Sequence, residues 1–83
     1  MPSRSPLSRP LPTLREQVAE LRRERRMRDH VYPHLIETGK LQGGEALRRN
    51  AALDAAITTL DRLALDLETE RERIARVARY EGR

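Results

Sequence analysis

Apolar side chains recur at helical spacing on both sides of a short glycine-containing interruption. Before it, Leu14, Val18 and Leu21, then Tyr32, Leu35 and Ile36, fall on one face of a helix. After it, Ala46, Asn50, Leu53, Ile57, Leu60, Ala64, Leu67, Arg71, Ile74 and Ala78 follow alternating steps of four and three. Ala56 and Leu63 widen that stripe to a face broad enough for a bundle. Asn50 and Arg71 are its two polar members, and an Asn in such a seam fixes register or oligomer number at some cost in stability. The pattern predicts an all-α antiparallel helical hairpin that associates into an oligomeric bundle or coiled coil. Asn50, Leu53, Ile57, Leu60, Leu67 and Ile74 are the expected oligomer seam.

Local punctuation places the ends of the helices. Thr13 and Glu16 have the spacing of a capping box, in which hydroxyl and carboxylate each satisfy an orphan backbone donor. Pro33 removes one donor from the ladder, which predicts a kink or a break between His30 and Pro33. The helix should stop at Thr38-Gly39, where glycine takes the left-handed conformation. Lys40 to Gly43 then turns the chain, with Gln42 and Glu45 forming only a degraded capping box. The second helix is expected from about Gly44 to Tyr80, roughly 55 Å long at 1.5 Å per residue. It should outrun its shorter partner by about three turns. The expected organisation is a disordered Pro/Arg arm over 1–12, the hairpin over 13–80 and a frayed tail over 81–83.

Composition supports helices over strands. Leu and Ala dominate the apolar residues, with no Phe or Trp, three Val, three Ile and two Tyr, whereas strands favour β-branched and aromatic side chains. Two amphipathic helices with so few large apolar side chains make a thin core. Without cysteine, neither a disulfide nor a thiolate metal site reinforces it. A homo-oligomer is the expected remedy. No apolar run approaches the length of a membrane span, and no signal-peptide core follows the start, so a cytoplasmic protein away from membranes is expected.

The net charge of +4 sits entirely in residues 1–40. Its densest feature is Arg22-Arg23-Glu24-Arg25-Arg26-Met27-Arg28. On an ideal helix Arg25 and Arg28 share the interior stripe with Val18, Leu21 and Tyr32, an unexpected place for fixed charge. Asp54, Asp61 and Glu68 recur every seven residues along one flank of the second helix. Antiparallel docking would set Asp54 and Asp61 level with Arg28 and Arg25. An inter-helix ion-pair ladder is the structural reading of that match; an anion-binding groove is the functional one. Arg22, Arg23 and Arg26 point elsewhere. They form either a solvated face or, with Arg4, Arg9 and Arg15, a patch for an acidic protein or nucleic acid. The expected partner-binding set is Arg22, Arg23, Arg25, Arg26, Arg28 and Tyr32. Nucleic acid would have to be met through its backbone alone, since aromatic residues to stack bases are missing.

Catalytic chemistry finds little to work with. His30 and His34 have the i, i+4 spacing of two ligands on one helical face, but Pro33 lies between them and no third ligand is well placed, so no metal site is assigned. No nucleophile, base and orienting group fall together, and Gly43-Gly44 is a hinge and not a phosphate loop. The chain is expected not to be an enzyme and to need no cofactor.

The central segment Met27-Arg28-x-x-Val31-Tyr32-Pro33-x-Leu35-Ile36-x-x-Gly39-Lys40-Leu41, preceded by Glu20-Leu21-x-x-Glu24 and followed by Glu45-Ala46 and Ala55-Ala56-Ile57-x-x-Leu60, resembles a type of small phage and prophage helical protein. The likeness covers about residues 20–60. It departs at Gln42-Gly43-Gly44, where the similar proteins tend to have Thr or Ser as the helix cap. These proteins carry no assigned activity, so the resemblance transfers no functional residues. It implies a phage-type accessory protein in a bacterial host cytoplasm, acting by occupying a surface of a host complex such as a defence or nucleic-acid-processing assembly. Sequence-independent DNA or RNA binding and a role in virion assembly are the competing expectations.

Overall fold

The computed structural model describes residues 11–81. Two helices account for nearly all of them: α1, Leu14–Glu37, and α2, Gly43–Glu81. They run antiparallel as a hairpin, as the periodicity predicts. The arm expected over 1–12 lies outside the described residues except for Leu11 and Pro12, which are exposed and not helical. Of the frayed tail, Glu81 is the last residue of α2 and the remainder lies outside.

Both ends of α1 are encoded locally. The Glu16 amide donates to Thr13 Oγ1 over 3.1 Å, and the Thr13 amide donates to Glu16 Oε2 over 2.8 Å, closing the capping box. At the other end Lys40 N donates to the Leu35 carbonyl (2.8 Å) and Gly39 N to that of Ile36 (3.1 Å). These paired bonds define a Schellman turn. Its pivot, Gly39, has φ +76°, a left-handed conformation that is costly for a residue with a Cβ. Leu41 then folds back and is buried.

Pro33 does not break α1. The helix passes through it without interruption, and the proline ring stands on the exposed side while Tyr32 and Leu35 turn inward. Packing of these neighbours on α2 outweighs the single missing donor. Helix α2 begins at Gly43, one residue earlier than expected. Glu45 supports its first turn by accepting from Arg49 Nη2 at 2.7 Å, so its carboxylate is turned along the helix and not back toward Gln42.

Val18, Leu53 and Ile57 form the core, with half-buried Leu21 and Leu60 packed against it. Ala46 and Ala64 extend the buried line in both directions along α2. Among the described residues no side chain of this core is fully shielded from solvent. The two helices therefore touch along one narrow line, and α2 outruns α1 by about four turns.

That geometry divides the expected seam. Leu53 and Ile57 are buried and Asn50 and Leu60 half-buried, all facing α1 of the same chain. Leu67 and Ile74 lie beyond or beside the contact and are exposed. The stretch from Ala46 to Ala64 thus finds its helical neighbour within the hairpin, and a second copy could reach it only by opening that hairpin.

Candidate interaction surfaces

The contact line splits the hairpin into two long sides of different chemistry. One side is charged. Arg15 donates from Nε and Nη2 to the two oxygens of Glu68, each at 2.8 Å, and from Nη1 to Asp61 Oδ1 at 2.7 Å. Arg25 donates from Nε to Asp54 Oδ1 at 2.9 Å and from Nη1 to Asp29 at 2.6 Å. Arg22 approaches Asp61 at 3.7 Å. The bonds to Arg15, and secondarily its positive charge, hold the Glu68 carboxyl below the ordinary glutamate range, while Glu68 and then Asp61 hold the Arg15 guanidinium more firmly charged.

An inter-helix ladder therefore exists, but in a register different from the one the charge spacing suggests. Asp54 meets Arg25 and not Arg28; Asp61 meets Arg15 and Arg22 and not Arg25. The cause is the turn. With the Schellman motif placing its apex near Lys40, residue 25 lies level with about residue 55, so Asp54 is its natural neighbour. Arg15, expected in an outward basic patch with Arg4 and Arg9, is instead the most heavily engaged cation of the ladder. Arg4 and Arg9 lie outside the described residues.

Arg28 takes a separate path. Its Nε donates to Glu24 at 3.3 Å, its Nη1 donates to the Arg49 carbonyl at 3.1 Å, and its guanidinium carbon stands 5.4 Å from the Tyr32 ring centroid. Arg28 and Tyr32 thus satisfy one another at the inter-helix line. Arg23 pairs with Glu20 one turn away at 3.4 Å. Of the five arginines in the expected partner-binding set, Arg26 alone makes no ion pair or hydrogen bond through its side chain among the described residues. Arg22 and Arg26 rim a shallow groove of about 350 Å³, with Arg25, Asp54, Ile57 and Thr58 lining the rest. Since Arg25 already answers Asp54, the cations left over at its rim set the sign that this side presents.

The opposite side is apolar. Leu21 of α1 and Leu60 of α2 cap the core there, and Ala52, Ala56, Leu63 and Leu67 of α2 lie beside them in water. Leu63 is 45% exposed and Leu67 43%, large values for side chains in the middle of a helix. The sequence pattern contained this surface, since Ala56 and Leu63 were visible as an extension of the seam; its separateness follows only from where α1 lies.

At the line between the two sides, the half-buried Asn50 has an Oδ1 with no hydrogen-bond partner among the described residues. His30 and His34 are exposed on the outer face of α1, and among the described residues no three His, Cys, Asp or Glu side chains converge as metal ligands would. No described helix is long and apolar enough to cross a membrane. No family model, curated protein or solved structure matches the chain.

Proposed function

We propose that this chain is a non-catalytic interaction module that docks its basic side onto an acidic surface of a protein partner. The observation that carries the reading is the imbalance at the groove between the helices. Three arginines line it, Arg22, Arg25 and Arg26, against the single carboxylate of Asp54, which Arg25 answers. Arg22 reaches only loosely toward Asp61, at 3.7 Å, and Arg26 has no ion pair among the described residues, so these two attract opposite charge. The resemblance of the Met27–Leu41 segment to small phage proteins adds the context. The partner is then a host complex in a bacterial cytoplasm, of the defence or nucleic-acid-processing kind, whose surface the hairpin occupies and inhibits. Self-association of hairpins accompanies this role, because so thin a core favours a larger assembly.

Direct binding to DNA or RNA through phosphates is the second reading, and the same Arg22 and Arg26 would serve it. One experiment separates the two. The tagged chain and its Arg22→Ser/Arg23→Ser/Arg26→Ser variant are used as baits in bacterial lysate at physiological salt, with and without nuclease. Capture of a protein that survives nuclease and is lost in the variant supports the protein-docking reading. Capture that disappears with nuclease transfers the role to nucleic acid, and capture unchanged by the substitutions overturns both.

A further inference from the structure

We propose that the apolar side of the hairpin is the docking face for a second copy of this chain, packed antiparallel along α2 about a twofold axis between Thr59 and Leu60. This rests on the self-association reading above and narrows the expected seam to the part that α1 leaves uncovered, Leu60, Leu67 and Ile74, with Ala56 and Leu63 beside it. The seam from Ala46 to Ala64 is covered by α1, with only the half-buried Leu60 reaching past it, so the copy must sit to one side of that line.

Taken along α2 at about 100° per residue, Arg49, Ala52, Ala56, Leu60, Leu63, Leu67, Glu70, Ile74 and Val77 share one stripe, on the side away from the charged ladder. Every one of them from Ala52 onward is exposed except the half-buried Leu60. Two such stripes laid antiparallel about the midpoint of Thr59 and Leu60 match in size and in charge. Ala56 falls opposite Leu63 of the second copy, and Ala52 opposite its Leu67, so each large side chain meets a small one. Arg49 falls opposite Glu70, which joins a cation to a carboxylate at each end of the contact. By symmetry every pairing occurs twice. A parallel arrangement would instead stack leucine on leucine and arginine on arginine.

The overhang gains a role in the same arrangement. The four turns of α2 beyond α1 carry Ile74 and Val77 past the end of their own hairpin. In the antiparallel pair they reach the turn end of the other hairpin, where Leu35 is half-buried and Val31 is exposed on the same side. The occupant that fits length, size alternation and charge is therefore this chain itself, giving a four-helix core with two protruding ends.

The test uses the full chain in sedimentation velocity, with helicity followed by circular dichroism. The wild type is expected to sediment as a dimer at micromolar concentration. Leu63→Glu/Leu67→Glu changes two residues that are exposed in the single hairpin, so helicity should persist while dissociation becomes easier by ~100-fold or more. The chain lacks cysteine, which permits a second, covalent readout, with helicity again followed by circular dichroism because Leu60 also touches the core. Leu60→Cys should form a disulfide-linked dimer on mild oxidation, whereas Leu65→Cys, on the charged side, should not. A wild type that remains monomeric at about 100 μM, well beyond ordinary dimer affinities, removes the self-association reading itself. A dimer that survives the glutamates, or that links through position 65 in preference to 60, leaves self-association standing and overturns this face.

Discussion

Arg15 grips Glu68 through two parallel hydrogen bonds of 2.8 Å, joining the first turn of α1 to a point on α2 fifty-three residues later. Bidentate geometry of this kind makes the most of a partly exposed pair, because one rigid fork satisfies both oxygens. With Asp61 on the third nitrogen, this cluster closes the open end of the hairpin. The closed end is held by the covalent turn, whereas among the described residues the open end is held by Leu14, Val18 and these charges.

The pH dependence of that closure has a defined sign. Arg15 holds the Glu68 carboxyl below its ordinary value of 4.5, so the pair stabilises the fold above that value and is lost as pH falls through the lower, folded-state value. Glu68→Gln should therefore melt slightly below the wild type at pH 7, by less than about 4 °C given the exposure of both partners. The gap should close on acidification below pH 4.5. Thermal melts of the two proteins at pH 7, 5 and 3 check this; a gap that widens in acid would show that Glu68 is stabilising through something other than its charge.

Gly39 and Gly44 should respond to alanine with opposite signs. At Gly39 the added Cβ meets nothing within 4 Å, yet φ is +76°, so the cost is purely conformational, about 1–2 kcal/mol. Gly44 lies in the first turn of α2 at an ordinary helical φ, where a Cβ meets only Arg48 Nη1 at 3.6 Å. Gly44→Ala should stabilise by about 0.5–1 kcal/mol through helix propensity. Denaturant unfolding of both variants is the measurement, and Gly39→Asn should recover part of the loss because asparagine tolerates the left-handed region.

Ile57 is one of three buried side chains in the core cluster, and its loss has few neighbours to compensate it. Ile57→Ala should cost about 2–5 kcal/mol, enough to leave a two-helix hairpin largely unfolded. Far-UV circular dichroism at 25 °C should show the helical signal collapsing. Retention of wild-type helicity in a monomeric Ile57→Ala chain would mean that the Val18–Leu53–Ile57 contact is not what holds the helices together.

Helix ends and the hairpin were readable in the sequence because Thr13, Glu16 and Gly39 act on backbone groups within four residues of themselves. Position along the partner helix is a different kind of information. It depends on the number of residues consumed by the turn, and the Schellman bonds from Gly39 and Lys40 set it in a way that periodicity does not record. A small difference there moved Asp54 from Arg28 to Arg25 and brought Arg15, expected in an outward patch with Arg4 and Arg9, onto Asp61 and Glu68. Helical spacing separates Arg25 and Arg28, on the interior stripe, from Arg22, Arg23 and Arg26, but not the members of each set. Arg25 meets Asp54 and Arg28 lies over Tyr32, while Arg22 reaches toward Asp61, Arg23 pairs along its own helix with Glu20 and Arg26 faces solvent. Pro33 illustrates the limit of a local rule, since the packing of Tyr32 and Leu35 overrides one lost donor.

Asn50 offers the sharpest test of how stability and specificity are divided in this hairpin. Its side chain lies in the apolar line between Ala46 and Leu53, and its Oδ1 is buried without a partner among the described residues. An unsatisfied buried acceptor costs about 1–3 kcal/mol, whereas an apolar side chain of similar size at that position would lengthen the core. Asn50→Leu should therefore raise the melting temperature by roughly 4–8 °C for each kcal/mol regained. The gain should come with a loss of uniqueness. A continuous leucine stripe no longer penalises sliding of α1 along α2 or replacement of α1 by another copy, whereas a polar seam residue does. The variant should accordingly show a broader distribution of species by sedimentation while melting higher. A higher melting temperature with a single unchanged species would reduce Asn50 to a plain defect in packing, and a lower one would mean that its oxygen is satisfied in solution by water or by a second chain.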